Sequence, residues 1–478
     1  MRLTDLLPRV EPRSVHGPTD VEVLRVTEDS RDADRSAIFV AVRGGRVDGH
    51  DYASSVPAAA VVSERLVAVP DDVACIVVDD SRLALARLAA ALNGDPSAAL
   101  RVVGITGTNG KTTVSLLLEA VLRRAGTPAG VIGTTGHRVL GARRPASYTS
   151  PPAPVWQGLL REMHEAGCQV VSAEVSSIGL SSRRVDATSF DVAVFTNLSR
   201  DHLDVHGNMA AYAAAKRRLF VELVAPGGTA VVNVEDVAVD EVAPRRGDVR
   251  RWGFGLTRGH LCPERLVLGL DGARGRIKTP RGSLPLELKL VGRHNVANAL
   301  AAAGAALALD LDPEHVVEGI ASLEAIPGRL EPVPCARGFH VLVDYAHTPD
   351  ALRVVLSGLE ELARGRRIVV FGCGGDRDRG KRELMARAAS EAEIVVATSD
   401  NPRGESPGAI LEDLRPGLRS DAIVIEDRAE AIAEALKLAR PGDVVLLAGK
   451  GHETYQEIAG VKHPFDDRTV AARALEVA

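Results

Sequence analysis

The segment GITGTNGKTT, residues 104 to 113, limits the possible fold more than any other part of the chain. The segment RVVGIT, residues 101 to 106, is apolar between its two end residues and leads into a glycine-rich turn, after which apolar residues recur at helical spacing. This order predicts a buried strand, a tight loop and a helix from Lys111 to Ala125. Such a unit is typical of a parallel sheet that is covered by helices on both faces.

The loop of this unit is suited to binding phosphate. Its backbone N–H groups and the helix N-terminus would face the anion, Lys111 would reach the β- and γ-phosphates, and the Thr112 hydroxyl would reach Mg²⁺. The usual phosphate-loop template has a glycine where this chain has Ile105, and the glycines here are Gly104 and Gly107. An ordinary turn with an exposed lysine is the simpler interpretation, but Gly-Lys-Thr-Thr at a strand-to-helix junction favours a nucleotide site.

A second polar segment, TNLSRDHLDVHGNM, follows the apolar run DVAVF and therefore lies at the carboxyl edge of the same predicted sheet. It contains four side chains that can bind metals, Asp201, His202, Asp204 and His206. Carboxylates and imidazoles suit a divalent cation, although a solvated polar loop has the same composition. Glu174 ends another strand and is predicted to project toward this edge, which favours a metal site.

Four loops near the carboxyl terminus also follow apolar strands directly. They read VDYAHTPDAL, FGCGGDRDRGKR, TSDNPRGE and AGKGHETYQ, and each is rich in Arg, Asp, His or Gly. Ligands bind at the carboxyl ends of strands in open α/β sheets, and Arg377, Arg379 and Arg403 lie in these loops. Any one loop can be a surface turn, but together they predict a pocket for a polyanionic or carboxylate-bearing compound.

The chain is predicted to form three α/β domains. Its 478 residues exceed what one hydrophobic core usually organises. Short β-branched runs and a helix from Ser81 to Leu92 precede the linker NGDPS, and alternating apolar strands and helices follow it. The stretch from Arg250 to Gly282 is predicted to be an antiparallel ribbon. We place a small N-terminal α/β domain at 1–97, a central P-loop parallel-sheet ATPase domain at 98–327, and a C-terminal doubly wound, Rossmann-like domain at 328–478.

Composition excludes several classes of protein. A net charge of −5 and 3% aromatic residues provide neither the basic surface nor the stacking platforms of a nucleic-acid-binding protein. No apolar run approaches the ~20 residues that a membrane helix needs, and the N-terminal residues lack the apolar run of a signal peptide. The five cysteines show neither pairing nor metal-ligand spacing. We expect a cytoplasmic monomer that has no nucleic-acid partner and no membrane insertion.

Taken in order, the motifs resemble those of the Mur ligases, the ATP-dependent amide-forming enzymes of peptidoglycan precursor synthesis, and most closely those of the MurE type. The resemblance spans nearly the whole chain. It rests on the segments DSRDADRSAIFVAVRG, GITGTNGKTT, EVSS, TNLSRDHLDVHGNM, AAAKRRLF, GRHNVANALAA, PGRLEPV, DYAHTPDAL, FGCGGDRDRGKR, DNPR and GKGHE. The shifted glycine of the phosphate loop is the pattern of this family, so the resemblance implies a Mur-type ATP loop.

The resemblance implies an activity. ATP would phosphorylate the carboxylate of UDP-N-acetylmuramoyl-L-alanyl-D-glutamate, an amine would attack the acyl phosphate, and phosphate would leave. DNPR resembles the members that add meso-diaminopimelate, and L-lysine or L-ornithine addition by the same chemistry stays open. A folylpolyglutamate synthase-like ligase shares the ATP core but lacks a uridine-binding first domain. A P-loop switch or motor ATPase is a further alternative, against which ATP contacts in a separate domain argue.

The resemblance also implies site residues in the central part of the chain. Catalytic roles fall to Lys111, His202 and Lys216, and Lys216 matches the lysine that this family carbamylates with CO₂ to bind a second Mg²⁺. The implied metal ligands are Thr112, Glu174, His202 and the carbamylated Lys216. The implied ATP-binding residues are Gly107, Thr108, Asn109, Gly110, Lys111, Thr112, Thr113, Asn295, Arg329, Asp344 and His347.

Two substrate sites are implied in the same way. The UDP-linked substrate would be held by Ser30, Gly45, Arg46, Thr149, Ser150, Ser176, Ser182 and Arg184. The incoming amino acid would be held by Arg377, Asp400, Asn401, Pro402, Arg403, Gly449 and Glu453. Arg403 and Arg377 would pair with a carboxylate, and Glu453 with an ammonium group. Two positions depart from the family pattern, because Ile178 replaces a histidine after EVSS and Tyr148 opens YTSPP in place of Asn-Thr-Thr-Pro.

Overall fold

The computed structural model of the protein describes residues 1–44 and 47–477. Three α/β domains follow one another along the chain, each with a sheet of its own, so the predicted fold class is confirmed. The domain boundaries at 97/98 and 327/328 stay predictions. Within the described residues, no helix has the length and apolar character needed to cross a membrane.

The first domain is a five-stranded sheet flanked by two helices. Its sheet has the order β1-β5-β4-β3-β2, with β1 antiparallel to its neighbour and the other pairs parallel. The predicted helix is confirmed, and its first turn is capped because the Asp80 carboxylate accepts a hydrogen bond from Leu83 N–H at 2.9 Å. The elements are α1 (Leu3–Val10), β1 (Ser14–His16), β2 (Arg25–Thr27), β3 (Ala37–Val40), β4 (Ala60–Ser63), β5 (Ala74–Val77) and α2 (Ser81–Leu92).

The central domain is built around an eight-stranded sheet whose middle strands are buried on both faces, as their continuous apolar runs require. The order is β13-β12-β11-β6-β10-β7-β8-β9, and among the described strands of this sheet the β7–β8 and β8–β9 pairs are antiparallel and the other pairs are parallel. The elements are β6 (Arg101–Thr106), α3 (Lys111–Arg124), β7 (Ala129–Ile132), β8 (His137–Val139), β9 (Ala142–Arg144), α4 (Ala153–Glu165), β10 (Val170–Glu174), α5 (Ser177–Ser181), β11 (Phe190–Phe195), α6 (Leu203–His206), α7 (Met209–Arg218), β12 (Val224–Asn233), α8 (Val239–Val242) and β13 (Arg250–Phe254).

The predicted antiparallel ribbon from Arg250 to Gly282 is wrong at its start. Its first residues form β13, which pairs in parallel with β12 as the edge of the central sheet. The antiparallel part is a three-stranded sheet of β14 (Cys262–Gly269), β15 (Gly272–Thr279) and β16 (Gly282–Leu288). The turn after Phe254 therefore separates two sheets, and glycine and arginine content alone does not mark that change. The alanine-rich α9 (Arg293–Ala308) and α10 (Pro313–Ser322) then pack against α3.

The third domain is doubly wound, as predicted. Its sheet has the order β17-β18-β22-β19-β20-β21, so four strand-end loops meet at one edge. The elements are β17 (Glu331–Val333), β18 (His340–Asp344), α11 (Pro349–Glu360), β19 (Arg367–Phe371), α12 (Gly380–Ala389), β20 (Ile394–Ala397), α13 (Pro407–Leu414), β21 (Ile423–Val424), α14 (Arg428–Leu438), β22 (Val444–Ala448), β23 (Tyr455–Ile458), β24 (Val461–Pro464) and α15 (Asp467–Val477).

A fully buried ion pair fixes that sheet edge. The Arg428 guanidinium donates from Nε and Nη2 to the two oxygens of Asp467, at 2.8 and 2.6 Å. The same guanidinium donates to the carbonyl oxygens of Ser399 and Ala448, at 3.3 and 3.0 Å. Ser399 lies in one of the strand-end loops, and Ala448 is the last residue of the strand that leads into another. The pair therefore ties α14 and α15 to the backbone that carries those loops.

We expect Asp467→Ala to lower the free energy of unfolding by ~3–5 kcal/mol, because it leaves a buried guanidinium without its partner. The matched control is Asp421→Ala, which breaks the half-exposed Arg419–Asp421 pair and should cost less than ~1 kcal/mol. Urea denaturation of the variants checks both values. Equal midpoints for the two variants would contradict a structural role for the buried pair.

Candidate active site

The phosphate loop lies between β6 and α3, where the sequence predicts it. A Cβ on Gly107, whose φ is +153°, would lie 1.8 Å from Thr196 Oγ1, and one on Gly110, whose φ is +89°, would lie 2.4 Å from Asn298 Oδ1. Both positions therefore require glycine. The loop after β11 holds the turn in place, because Asn109 N–H donates to the Asn197 side-chain oxygen at 2.9 Å.

Two lysine amines converge on this loop. Lys111 Nζ donates to the carbonyl oxygens of Gly107 and Thr108, each at 2.8 Å, and Lys216 Nζ donates to the Gly107 oxygen at 2.9 Å. The Lys216 side chain is buried, and its Nζ lies 4.5 Å from the ring centre of Tyr212. Burial, together with the positive charge of Lys111, holds the pKa of Lys216 well below its ordinary value. Lys216 is thus an amine in a dry site beside the phosphate loop.

A chain of hydrogen bonds leads from the phosphate loop across the sheet edge. The Thr112 hydroxyl donates to Glu174 Oε2 at 3.0 Å, and the Thr134 hydroxyl donates to the same oxygen at 3.0 Å. Thr134 N–H donates to Glu174 Oε1 at 3.0 Å, and its hydroxyl lies 2.9 Å from that of Thr149. Glu174 is buried at the end of β10. This carboxylate therefore connects the first turn of α3 to the segment around Thr149.

The polar segment after β11 differs from the sequence expectation of a crowded metal cluster. Among the described residues, no three His, Cys, Asp or Glu side chains are grouped closely enough to hold a metal ion. His206 Nε2 lies 3.0 Å from the Ser177 hydroxyl, and Asp204 is exposed. Asp201 and Glu174 instead stabilise the charged form of Lys111, whose pKa burial lowers. His202 lies near enough to both lysines for their charges to add to burial in lowering its pKa.

One cavity, of about 380 Å³, lies between the central and third domains. The loop and α3 contribute Asn109, Gly110, Thr112 and Thr113, and the predicted contacts Asn295, Arg329 and Asp344 line the same cavity. Asp344 accepts hydrogen bonds from Leu330 N–H and Ala346 N–H, each at 2.8 Å, and burial raises its pKa. The structure thus brings these ATP-binding candidates from two domains together. His347 lines the neighbouring cavity instead.

That second cavity, of about 480 Å³, is the pocket predicted from the strand-end loops. Six of the seven predicted amino-acid contacts line it: Arg377, Asp400, Asn401, Arg403, Gly449 and Glu453. Pro402 is not among its lining residues. Glu453 accepts a hydrogen bond from Asn401 Nδ2 at 2.7 Å and lies 3.3 Å from Lys450 Nζ, and Arg403 Nη1 donates to Gly375 O at 2.8 Å. Basic and acidic groups therefore face one space.

Only some of the residues predicted to bind the UDP-linked substrate lie in contact with one another. The Ser150 hydroxyl donates to Glu174 O and accepts from Ser176 N–H, and Arg184 Nη1 donates to Ser150 O at 3.0 Å. Arg184 also lies over the Tyr148 ring at 4.9 Å, so the departure at Tyr148 gives this arginine an aromatic partner. Ser182 follows α5 as its C-terminal cap, and Ser30 lies in the turn after β2. Gly45 and Arg46 lie outside the described residues.

Sequence reasoning missed several residues of this site. Thr134 follows a strand but was missed, because only its hydrogen bond to Glu174, which the sequence does not show, reveals its role. Asn298 was missed because it lies inside a helix of mostly alanine, one turn after Asn295. Lys381, Arg200 and Ile178 line the second cavity, and the first two add positive charge to it.

Comparison with known proteins places these features in a family. The model of the Mur ligase middle domain matches residues 105–306, and that of the Mur ligase glutamate ligase domain matches residues 328–451. The chain is 44% identical, over 99% of its length and 98% of the relative, to a protein of Geobacter metallireducens named UDP-N-acetylmuramoyl-L-alanyl-D-glutamate--2,6-diaminopimelate ligase.

The solved structures agree with this assignment. A structure of a UDP-N-acetylmuramoyl-L-alanyl-D-glutamate--2,6-diaminopimelate ligase is 34% identical and covers 100% of this chain and 99% of its own, with a TM-score of 0.73. A Mycobacterium tuberculosis folylpolyglutamate synthase is 21% identical, covers 82% of this chain and 94% of its own, and has a TM-score of 0.63, which shows a shared fold alone. The full-length identity shows that the chain belongs to the Mur ligase family, as a member of the MurE type.

Proposed function

We propose that the protein is an ATP-dependent ligase that joins meso-diaminopimelate to UDP-N-acetylmuramoyl-L-alanyl-D-glutamate. The observation that carries this proposal is the pair of adjoining cavities, one beside the phosphate loop and one lined by arginines, which share Asp350 on their walls. The names of the full-length relatives supply the substrates. A nucleotide and an amino acid can thus meet at one sheet edge.

The reaction follows from this arrangement. A carboxylate of the D-glutamyl residue attacks the γ-phosphorus of ATP, so that an O–P bond forms, the bond to the β-phosphate oxygen breaks, and ADP leaves. The amine then attacks the acyl carbon, its nitrogen gives up a proton, and phosphate departs with the bonding electron pair. Lys111 and the N–H groups at the start of α3 would stabilise the negative charge that develops on the phosphoryl oxygens. The chain Thr112–Glu174–Thr134–Thr149 would set the distance between phosphate and acceptor.

The residues present fit a magnesium site. Thr112 and Glu174 offer the oxygen ligands that Mg²⁺ prefers, and Mg²⁺ usually takes only one or two protein carboxylates beside phosphate oxygens and water. His202 and a carbamylated Lys216 would supply the other predicted ligands. When bound, Mg²⁺ would neutralise phosphate charge during transfer. The low pKa of Lys216 supports carbamylation, since CO₂ reacts with the uncharged amine to give an anionic carbamate.

We expect Lys216→Ala to lower kcat by ~10²-fold or more, because the carbamate is proposed to help hold the charge that stabilises phosphoryl transfer. Removal of bicarbonate from the wild-type assay should lower activity, and added acetate should restore part of the activity of the variant. Isotopically labelled bicarbonate should give a carbamate signal in wild type that Lys216→Ala lacks. An active, metal-loaded enzyme with a bare amine at Lys216 would refute carbamylation.

The second cavity is proposed to bind the diamino acid. Arg403 and Arg377 would pair with carboxylates, and Glu453, which Asn401 orients, would accept the ammonium group. Addition of L-lysine or L-ornithine is the nearest alternative. These amines lack the distal carboxylate of diaminopimelate, so this alternative requires only that neither arginine serve as a partner for such a carboxylate. A folylpolyglutamate activity is disfavoured because the named relatives match the chain through its first domain as well.

Product analysis tests this function. The enzyme is incubated with ATP, Mg²⁺ and the UDP-linked dipeptide, with meso-diaminopimelate, L-lysine or L-ornithine in separate reactions. We expect the diaminopimelate reaction alone to yield the tripeptide product at an appreciable rate, as identified by mass. A product of equal rate from L-lysine would replace the proposed substrate with the rival, and no product from any amine would overturn the ligase proposal.

A further inference from the structure

A third cavity, of about 660 Å³, lies away from the two cavities of the proposed active site. It opens at the edge of the central sheet, between the loop after β12, the edge strand β13 and the end of β15. Five basic side chains line it: Arg245, Arg251, Arg258, His260 and Lys278. None of these residues takes part in the reaction described above.

Of the three acidic residues that line this cavity, Asp240 pairs with Arg251, whereas Glu235 and Asp236 form no ion pair with its described basic side chains. Glu235 is occupied by its own loop, since it accepts hydrogen bonds from Leu256 N–H at 3.0 Å and Thr257 N–H at 2.6 Å. Asp236 likewise accepts from Leu198 N–H and Ala238 N–H, at 2.8 and 2.9 Å. Both carboxylates thus accept hydrogen bonds from backbone N–H groups and not from the nearby basic side chains.

Most of the basic side chains of this cavity form no ion pair with a described carboxylate. Arg245 and Lys278 are exposed and form no ion pair with any described residue. Arg258 donates to the Val234 carbonyl at 2.9 Å, which leaves its charge without a carboxylate in the described part of the chain. His260 Nδ1 accepts a hydrogen bond from Gly253 N–H at 2.9 Å, so a neutral ring carries its proton on Nε2 and offers a donor there.

An unsatisfied donor gives independent evidence for a missing partner. Arg251 pairs through Nη2 with the exposed Asp240 at 2.7 Å, but its Nη1 is buried and has no hydrogen-bond partner among the described residues. Leaving a buried guanidinium donor unpaired is costly, so each such group needs an explanation. Arg251 lines the cavity, so an anion bound there would give this guanidinium a further charged partner.

We propose that this cavity is a binding site for a compact oligophosphate group. Guanidinium forks, an ammonium and an imidazole N–H are suited to phosphate oxygens, and the volume is within the range of small-molecule sites and too large for one phosphate ion alone. A free nucleotide or an inorganic oligophosphate could supply this group.

The site is coupled to the nucleotide cavity through its wall. Glu235 and Asp236 line both cavities, and the backbone groups that they hold belong to Leu198 and Leu256, which line the nucleotide cavity. A ligand that shifts this loop therefore changes the affinity for ATP, and ATP changes the affinity for the ligand by the same factor. The coupling rests on the proposed ATP-dependent function, whereas the binding itself does not.

Calorimetric titration with inorganic tripolyphosphate tests the proposal, at fixed free Mg²⁺, with and without a saturating non-hydrolysable ATP analogue. We expect one site per chain that persists with the analogue present and whose Kd changes by about 5-fold. Arg245→Ala/Lys278→Ala should weaken binding by ~10-fold or more, because two charged hydrogen-bond donors are lost. The same titration with ADP replacing tripolyphosphate distinguishes a nucleotide from an inorganic ligand.

The matched control is Arg274→Ala/Arg276→Ala. It removes two positive charges from β15, the strand that carries Lys278, at positions that do not line the cavity. This control should leave binding within ~2-fold of wild type, because the removed charges are screened surface groups. Complete displacement of tripolyphosphate by the analogue would overturn the site, as would equal weakening in both double variants. An unchanged Kd on addition of the analogue would overturn the coupling. If the wild-type protein binds tripolyphosphate at this site but shows no ligase activity, the result would count against the proposed function and not against the site.

Discussion

Lys111→Ala is expected to lower kcat for ligation by ~10³-fold or more and to leave the fold intact. Lys111 begins α3, its Nζ lies over the phosphate loop, and its only described hydrogen bonds go to two loop carbonyls. A phosphate in the loop would draw this amine away from those carbonyls, because a charge-assisted bond is stronger than a neutral one. The lysine therefore serves the phosphoryl group and not the core.

Steady-state kinetics and thermal unfolding of the variant check this expectation. Lys289→Ala provides the control, since it removes an equal charge from an exposed ion pair elsewhere in the central domain. The control should retain wild-type kcat, and both variants should unfold near the wild-type temperature. Turnover of Lys111→Ala at the wild-type rate would show that this loop is not the phosphate site.

Arg403→Ala is expected to remove most of the preference for meso-diaminopimelate. The wild-type enzyme should prefer it over L-lysine by ~10²-fold or more in kcat/KM, because a pocket built for a carboxylate is left with an unpaired charge when that carboxylate is missing. Arg403 lines the amino-acid cavity, is mostly buried, and is positioned by its bond to Gly375 O. Its nearest carboxylate, Glu457, lies 3.9 Å away and leaves the guanidinium available.

The backbone at Arg403 requires a second variant. Its φ is +52°, a conformation that alanine adopts poorly and asparagine tolerates, so Arg403→Asn separates loss of charge from backbone strain. Both variants should lose diaminopimelate use while L-lysine use changes little, as measured by kcat/KM for each amine. An unchanged preference in Arg403→Asn would move the specificity to another residue and leave the ligase proposal in place.

Much of the site follows from strand ends that the sequence marks clearly. β6, β10 and β11 are neighbours in a parallel sheet, so the phosphate loop, Glu174 and the segment after Phe195 must share an edge. The four loops of the third domain converge for the same reason. The apolar runs specify these strands strongly, because a parallel strand buried on both faces tolerates few polar residues.

Other features depend on contacts between distant segments and leave no local pattern. Thr134 and Glu174 are forty residues apart in sequence, and nothing in either segment indicates that one donates to the other. The buried Arg428–Asp467 pair and the partner of His206 are similar cases. In the segment after β11, no three of the described His, Cys, Asp and Glu side chains form a group that could hold a metal ion, and His206 instead lies beside the Ser177 hydroxyl, which their spacing alone does not reveal.

Phosphate release from ATP, measured with each combination of the other two substrates, tests the central claim most directly. The account predicts that appreciable release requires both UDP-N-acetylmuramoyl-L-alanyl-D-glutamate and meso-diaminopimelate, and that the amount of phosphate equals the amount of new amide bond. Release from ATP alone at the same rate, or release with either substrate omitted, would contradict a ligase and indicate an ATPase that acts on a different partner.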